Sequence, residues 1–507
     1  MLPGGTDPAQ PVSVNQAGAA YPVGVDLAVG FDLDMTLVDS SEGIVATVQA
    51  ALADYGVTVT RADVWPSIGL PLDLVLGPHL PANQVEAAKA RYRHLYPALG
   101  VPLTRLLPGA VEAFAAVRAM HGRVVVVSAK TQSAVHLVLH HVGLEPDVVV
   151  GDLFGADKAT ALRENGVGVY VGDHTGDVEG ALAAGAASVG VTTGPVDAET
   201  LRAAGADVVV DSLAELPAWL DEHVLDARLA DLDAQLRLLG SVLVAFSGGA
   251  DSALLLAAAV RALGPERVVA ATAVSGSLAT GELDDAAAFA HLLGVRHLRP
   301  DTDEMAREGY RANAGDRCFF CKAELLDVLS PLAAELGLAA VATGTNADDA
   351  VAGFRPGIRA AAERGAVTPL RDAGLTKAQV RAASARWGLP TWDKPAAACL
   401  SSRIAYGVQI TDAGLARVDR AERASRRVLE RAGVVVRDLR VRDLGDDRAR
   451  LELDVDALEA SRAAGAGLSD EVLAALGRVG FDRAEIDPQG FRSGAMNELL
   501  SGPDRYR

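Results

Sequence analysis

A chain of 507 residues, 50% apolar and 22% charged, is too long for one hydrophobic core and points to about three globular domains. A mean hydropathy of +0.20 with that charge content excludes collagen, coiled-coil and low-complexity classes. The 47 basic residues against 66 acidic ones leave a net charge of −19, which disfavours extended nucleic-acid binding.

Residues 1–25, rich in Pro, Gly, Ala and Asn without apolar periodicity, read as a disordered tail. The first basic residue is Arg61, so no charged leader segment is visible and the chain reads as cytoplasmic. From Val25 onward, short β-rich runs alternate with Ala/Leu-rich helical stretches, the pattern of parallel α/β units. One series runs through Leu27–Phe31, Val124–Val127, Val148–Val150, Val167–Val171 and Ala187–Val191, and bounds a first domain at 26–215. A helical, acidic connector follows at 216–239. A second series, Val242–Phe246, Val268–Val274, Val295–Leu298 and Ala339–Thr343, bounds a domain at 240–405. Residues 406–507 change pattern to an amphipathic helix, two strands (Val434–Val441, Arg448–Val455), a helix and a last strand near Glu485. The fold class is therefore α/β: two doubly wound parallel-sheet domains plus a small C-terminal α+β domain. The most apolar stretch, Ser241–Leu263, carries Asp251 at its middle and reads as a buried strand and helix, not a membrane span.

Phe31-Asp32-Leu33-Asp34-Met35-Thr36 follows a buried strand, which places two aspartates at its carboxyl end, where open α/β sheets bind ligands. Two such carboxylates suit a Mg²⁺ ion and a nucleophile directed at phosphorus. With Ser128 after four valines, Lys158, and Gly172-Asp173-His174-Thr175-Gly176-Asp177, the segment resembles the haloacid-dehalogenase phosphohydrolases. The resemblance implies Asp32 as nucleophile, Asp34 as general acid and base, and Ser128 as a phosphoryl-binding group. It also implies Lys158 as charge compensator, Asp173 and Asp177 completing a Mg²⁺ shell with Asp32 and Asp34, and a helical cap over about 40–105. Thr36 is expected to join the phosphate-binding set. Met35 stands where many relatives have Gly.

Val242–Phe246 then leads into Ser247-Gly248-Gly249-Ala250-Asp251-Ser252 and an Ala/Leu helix. Two glycines turn backbone N–H groups toward an anion, and the helix start adds partial positive charge. The ending Gly-Lys-Ser/Thr of a Walker loop is absent, so γ-phosphate transfer is not expected. The loop resembles the PP-loop ATP pyrophosphatases, which implies ATP binding at Ser247, Gly248, Gly249, Asp251 and Ser252, with Asp251 on Mg²⁺.

All three cysteines, Cys318, Cys321 and Cys399, fall in this half. A lone C-x-x-C is compatible with redox chemistry, zinc or packing. Joined to Gly344-Thr345-Asn346-Ala347-Asp348-Asp349, Arg355-Pro356-Gly357, Trp392-Asp393-Lys394-Pro395 and Gly490-Phe491-Arg492-Ser493-Gly494-Ala495-Met496-Asn497-Glu498, it resembles the LarE sulfur transferases of nickel-pincer nucleotide biosynthesis. Gly353 departs from an acidic residue expected there. The resemblance implies that a carboxylate of pyridinium-3,5-biscarboxylic acid mononucleotide is adenylated and then converted to a thiocarboxylate. Three sulfur chemistries stand open: a [4Fe–4S] cluster on Cys318, Cys321 and Cys399, sacrifice of the Cys399 sulfur itself, or zinc. Arg440 and Arg442, on one face of a predicted strand, either grip the nucleotide phosphate or pair with neighbouring acids. The expected partner is a small-molecule nucleotide, with no extended nucleic acid and no membrane; a homo-oligomer is compatible with the sequence. The rival reading is a tRNA thiolase with a silent phosphatase-like scaffold, which calls for a basic block that the tail after Tyr406 lacks.

Overall fold

Four successive valines, Val124–Val127, cannot leave either side of a strand in water. In a computed structural model that describes residues 12–14, 20–22, 27–351, 356–395 and 398–492, all four are fully buried in a parallel sheet. The chain divides into two units, 1–230 and 231–507, and the boundary falls inside the helix Leu216–Leu239. Within the expected tail, Val12–Val14 pairs antiparallel with Ala20–Pro22. The rest of residues 1–26 lies outside the described residues.

The first unit holds a six-stranded sheet in the order Val208–Val210, Ala187–Val191, Val169–Gly172, Ala28–Phe31, Arg123–Val127, Val148–Val150. All pairings are parallel. Val208–Val210 is a strand beyond the five read from the sequence. The chain order reverses at Ala28–Phe31, so the carboxyl ends of this strand and its two neighbours open side by side at a switch point. Gly30 is required there, because a Cβ would stand 2.6 Å from the Tyr170 ring that packs across it. Val38–Asp39 pairs antiparallel with Arg105–Leu106 and closes the base of a helical insertion. Helices Ser41–Ala53, Arg61–Val64, Leu72–Leu76 and Ala82–Leu99 make up that insertion, in the place expected for the cap.

The second unit opens with a four-stranded parallel sheet in the order Arg296–Leu298, Val268–Ala271, Val242–Ala245, Ala340–Thr343. Again the first strand in the chain is central and the order reverses beside it. A three-stranded sheet follows, Leu439–Asp443 antiparallel to Arg448–Leu453, which runs parallel to Arg483–Ile486. Its first strand starts at Leu439 and not at Val434: Gly433 turns the chain at φ 76° and Val435 is 81% exposed. The single helix expected after Leu453 is two, Val455–Ala463 and Ala466–Arg478, parted by Gly465 at φ 94°. The core of this sheet is continuous with Tyr310, Leu400 and Ile404, which belong to the preceding segments of the same unit.

Candidate active sites

In the first unit the switch point gathers the residues of four separate motifs. Asp32, Asp173 and Asp177 place carboxylate oxygens within 4.8 Å of one another, and all three are buried. Lys158 Nζ donates to Asp32 Oδ1 at 2.7 Å, to Asp177 Oδ1 at 2.6 Å and to the Tyr170 hydroxyl at 2.9 Å. Burial pushes the Asp32 carboxyl up to about 7, against the pull of Lys158, and Asp177 and Asp34 add to the rise. Burial also raises Asp173, with Asp177 and Asp32 adding to it. Asp173 Oδ2 is buried with no hydrogen-bond partner among the described residues. Three crowded carboxylates with one lysine and an unsatisfied oxygen are a donor set that fits Mg²⁺. Ser128 is buried at the end of the adjacent strand.

Two of these residues also have protein partners. Asp34 stands apart from the three-carboxylate group: it pairs with Lys130 Nζ at 2.8 Å and accepts from the Ser40 hydroxyl. Thr36 is fully buried and donates to Asp173 Oδ1 at 3.1 Å, so its hydroxyl holds one of the three carboxylates. Met35 adopts φ 58°, the left-handed region, where a residue with a Cβ is disfavoured by ~1 kcal/mol; this is the physical reason glycine suits the position. A cavity of ≈ 340 Å³ lies between cap and sheet, lined by Asp34, Lys89, Tyr92, Tyr96, Lys130 and Phe154 among others.

In the second unit, Val242–Ala245 delivers the chain into Gly248, at φ 73°, and the helix Ala250–Leu263. The Ser252 hydroxyl accepts from Ser247 N at 3.3 Å, meets Ser247 Oγ at 3.2 Å and donates to Gly249 O at 3.1 Å, which fixes the loop as a cradle. Asp251 accepts from Lys377 Nζ and from Asn346 Nδ2, the latter at 3.1 Å. Gly344 permits this approach, since a Cβ there would stand 2.8 Å from Ser252 N. A cavity of ≈ 290 Å³ is lined by Ser247, Gly249, Asp251, Ser252, Lys322 and Asp349.

Cys318 and Cys321 occupy the first turn of the helix Arg317–Glu335, while Cys399 precedes the turn Leu400–Arg403. Cys318 and Cys399 are exposed and Cys321 is half-buried. Burial pushes the Cys321 thiol up, and the nearby Cys399, Glu304 and Cys318 push it further. Cys399 Sγ lies 2.8 Å from Ser401 Oγ. Among the described residues the three thiols do not fall within 4.8 Å of one another.

Both expected arginines are buried. Arg442 donates from Nε and Nη2 to Glu452 Oε2 at 3.0 and 2.7 Å and from Nη1 to Ser402 O, a buried pair and not a solvated strand face. Arg440 donates to Leu439 O, lies 3.6 Å from Asp438 and stacks over Phe491. Arg355, Gly353, Ala396, Ala397 and residues 493–507 lie outside the described residues, which leaves part of three motifs undescribed.

The haloacid dehalogenase-like hydrolase family matches residues 29–191. A probable phosphatase, IndB of Dickeya dadantii, is 30% identical over 213 residues, 37% of this chain and 90% of that protein. An uncharacterized Synechocystis protein is 41% identical over 278 residues, 55% of this chain and all of its own length. The pyridinium-3,5-bisthiocarboxylic acid mononucleotide synthase of Lactiplantibacillus plantarum is 35% identical over 277 residues, 55% of this chain and 96% of its own. The chain belongs to this synthase family. It also carries a haloacid dehalogenase-like hydrolase domain at residues 29–191.

Several residues of the two sites escape a reading by motif. Lys130, two positions after Ser128, reaches Asp34 and lies 4.7 Å from the Tyr96 ring centroid. Its one sequence signal is a lone lysine at the end of a buried strand. Gly194 faces Asp173, and a Cβ there would collide with Asp173 Oδ2. Lys322 adjoins Cys321, and burial lowers its ammonium group. It also lines the cavity beside the glycine loop, from the helix that carries Cys318 and Cys321 near its start.

Proposed function

We propose that the second unit is an ATP-dependent sulfur transferase acting on a carboxylate of pyridinium-3,5-biscarboxylic acid mononucleotide. The observation that supports it is Lys322: it lines the cavity of the glycine loop and lies on the same helix as Cys318 and Cys321. A substrate carboxylate oxygen attacks the α-phosphorus of ATP; that O–P bond forms as the bond to the pyrophosphate oxygen breaks. Sulfide sulfur then attacks the acyl carbon and the C–O bond to AMP breaks, leaving a thiocarboxylate. Ser247, Ser252 and the backbone N–H groups of Gly248 and Gly249 hold the phosphates, Asp251 carries Mg²⁺, and Lys322 offsets charge at the α-phosphate. Cys318, Cys321 and Cys399 would hold a [4Fe–4S] cluster, which would supply an exchangeable position for sulfide. Arg317, next to Cys318, ties this helix to the turn that follows Cys399 through Ser401 O at 2.9 Å, which supports that donor set. The test is protein isolated without oxygen: iron and broad absorption near ~400 nm are expected, both lost when any one of the three cysteines becomes Ala. Colourless, iron-free protein that loses one sulfur mass at Cys399 in a single turnover would establish the sacrificial route instead.

The first unit, in the same reading, is a Mg²⁺-dependent phosphatase for a small phosphorylated metabolite. Asp32, Asp173 and Asp177 hold the ion, which supplies charge screening between carboxylate and phosphate. Asp32 attacks phosphorus as the ester P–O bond breaks, and Asp34 gives its proton to the departing alcohol and later takes one from water. Lys158 balances the carboxylates. Because Mg²⁺ binds the folded state, its addition is expected to raise the unfolding temperature of the first unit. Gly194→Ala, by pushing Asp173 aside, is expected to remove both that rise and phosphatase turnover. A calorimetric Mg²⁺ response unchanged by Gly194→Ala would move the ion away from Asp173.

A further inference from the structure

The two cysteine segments are 78 residues apart at their nearest members, Cys321 and Cys399, yet a short buried ladder draws them together. Ile410 N donates to Arg311 O at 2.9 Å and Gly407 N to Asn313 O at 3.2 Å. The Asn313 side chain, fully buried and in the left-handed region at φ 51°, donates from Nδ2 to Ala405 O at 2.8 Å and to Val408 O at 2.9 Å. Its Oδ1 accepts from Arg317 Nη1 at 2.5 Å, and the same Nη1 reaches Ser401 O at 2.9 Å. Ser401 is the residue whose hydroxyl meets Cys399 Sγ. Arg317 itself immediately precedes Cys318 and is 5% exposed.

One donor in this ladder is left over. Arg317 Nε is buried and has no acceptor among the described residues. A guanidinium remains charged at any accessible pH, and an unsatisfied buried N–H of a cation is costly unless an anion meets it. The groups at hand are sulfurs: Arg317 immediately precedes Cys318, and its Nη1 holds the carbonyl of Ser401, whose hydroxyl meets Cys399 Sγ. The remaining neighbour is the Tyr406 ring, 5.2 Å from the guanidinium carbon, which offers no charge.

We propose that Arg317 is the positioning residue of the sulfur centre: its Nη1 staples the Cys318–Cys321 helix to the Cys399 turn, and its Nε–H is the outer donor to sulfur held between them. This rests on the sulfur-transferase reading for the identity of the sulfur, whereas the staple stands on hydrogen bonds alone. Partners of metal ligands of this kind change metal affinity by about 10-fold or more when removed.

The test uses the full chain and two readouts besides activity. Iron bound after anaerobic reconstitution is expected to fall about 10-fold in Arg317→Gln, which removes the charge, and less in Arg317→Lys, which keeps it without the planar fork. Independently of iron, the short thiol cross-linker dibromobimane is expected to join Cys399 to Cys318 or Cys321 in the unaltered protein. It is expected to do so far less in Arg317→Gln while a cooperative unfolding transition remains. Should Arg317→Gln not fold, Arg317→Lys carries both readouts. Folded variants that bind iron and cross-link like the parent overturn the proposal, as does a parent in which no such cross-link forms. A parent that cross-links but binds no iron overturns the cluster and leaves the staple standing.

Discussion

Asp32→Asn is expected to lower phosphatase turnover by about four orders of magnitude or more while leaving pyrophosphate release from ATP unchanged. The amide keeps the shape of the side chain and its place beside Lys158, but it cannot attack phosphorus. The buried group also loses the charge on which Lys158 rests at 2.7 Å. A lysine with 2% of its side chain exposed then keeps Asp177 as its sole carboxylate partner among the described residues. The second site belongs to a different unit with its own sheet and its own cradle, so its chemistry is expected to be indifferent to the change. Phosphate release from a generic aryl phosphate and pyrophosphate release from ATP, measured on one preparation, read both halves. Equal loss of the two activities would contradict the separation.

Asp251→Ala is expected to have the reverse effect, lowering pyrophosphate release by about 100-fold or more and sparing the phosphatase. Asp251 is the carboxylate at the start of the cradle helix and the partner of both Lys377 and Asn346. Its removal frees Lys377 and deletes the carboxylate proposed above to hold Mg²⁺. Adenylation that survives this change would place the magnesium elsewhere.

The strand-end aspartates and the glycine loop are legible in the sequence because each is a local device: a buried run, then a polar group at the next residues. Helix and strand order follow from the same periodicity, which is why both parallel sheets appear where the apolar runs predict them. What the sequence hides is the direction of each side chain after folding. Thr36 and Asp34 share one motif, yet one turns to Asp173 and the other to Lys130, because their partners lie 137 and 96 positions away. Arg440 and Arg442 look alike on a strand, and only the register of Leu439–Asp443 against Arg448–Leu453 shows a buried Glu452 claiming Arg442. Asn313 carries no motif at all. Its importance comes from a left-handed turn and from carbonyls about 90 residues away, distances that no local pattern records.

The most direct measurement is a product balance. The full chain is incubated without oxygen with ATP, sulfide and pyridinium-3,5-biscarboxylic acid mononucleotide, and nucleotide and pyridinium products are identified by mass spectrometry. One AMP and one pyrophosphate are expected for each carboxylate oxygen replaced by sulfur. ADP as the stoichiometric nucleotide, or AMP formed with no sulfur gained by the pyridinium compound, would contradict the sulfur-transferase assignment.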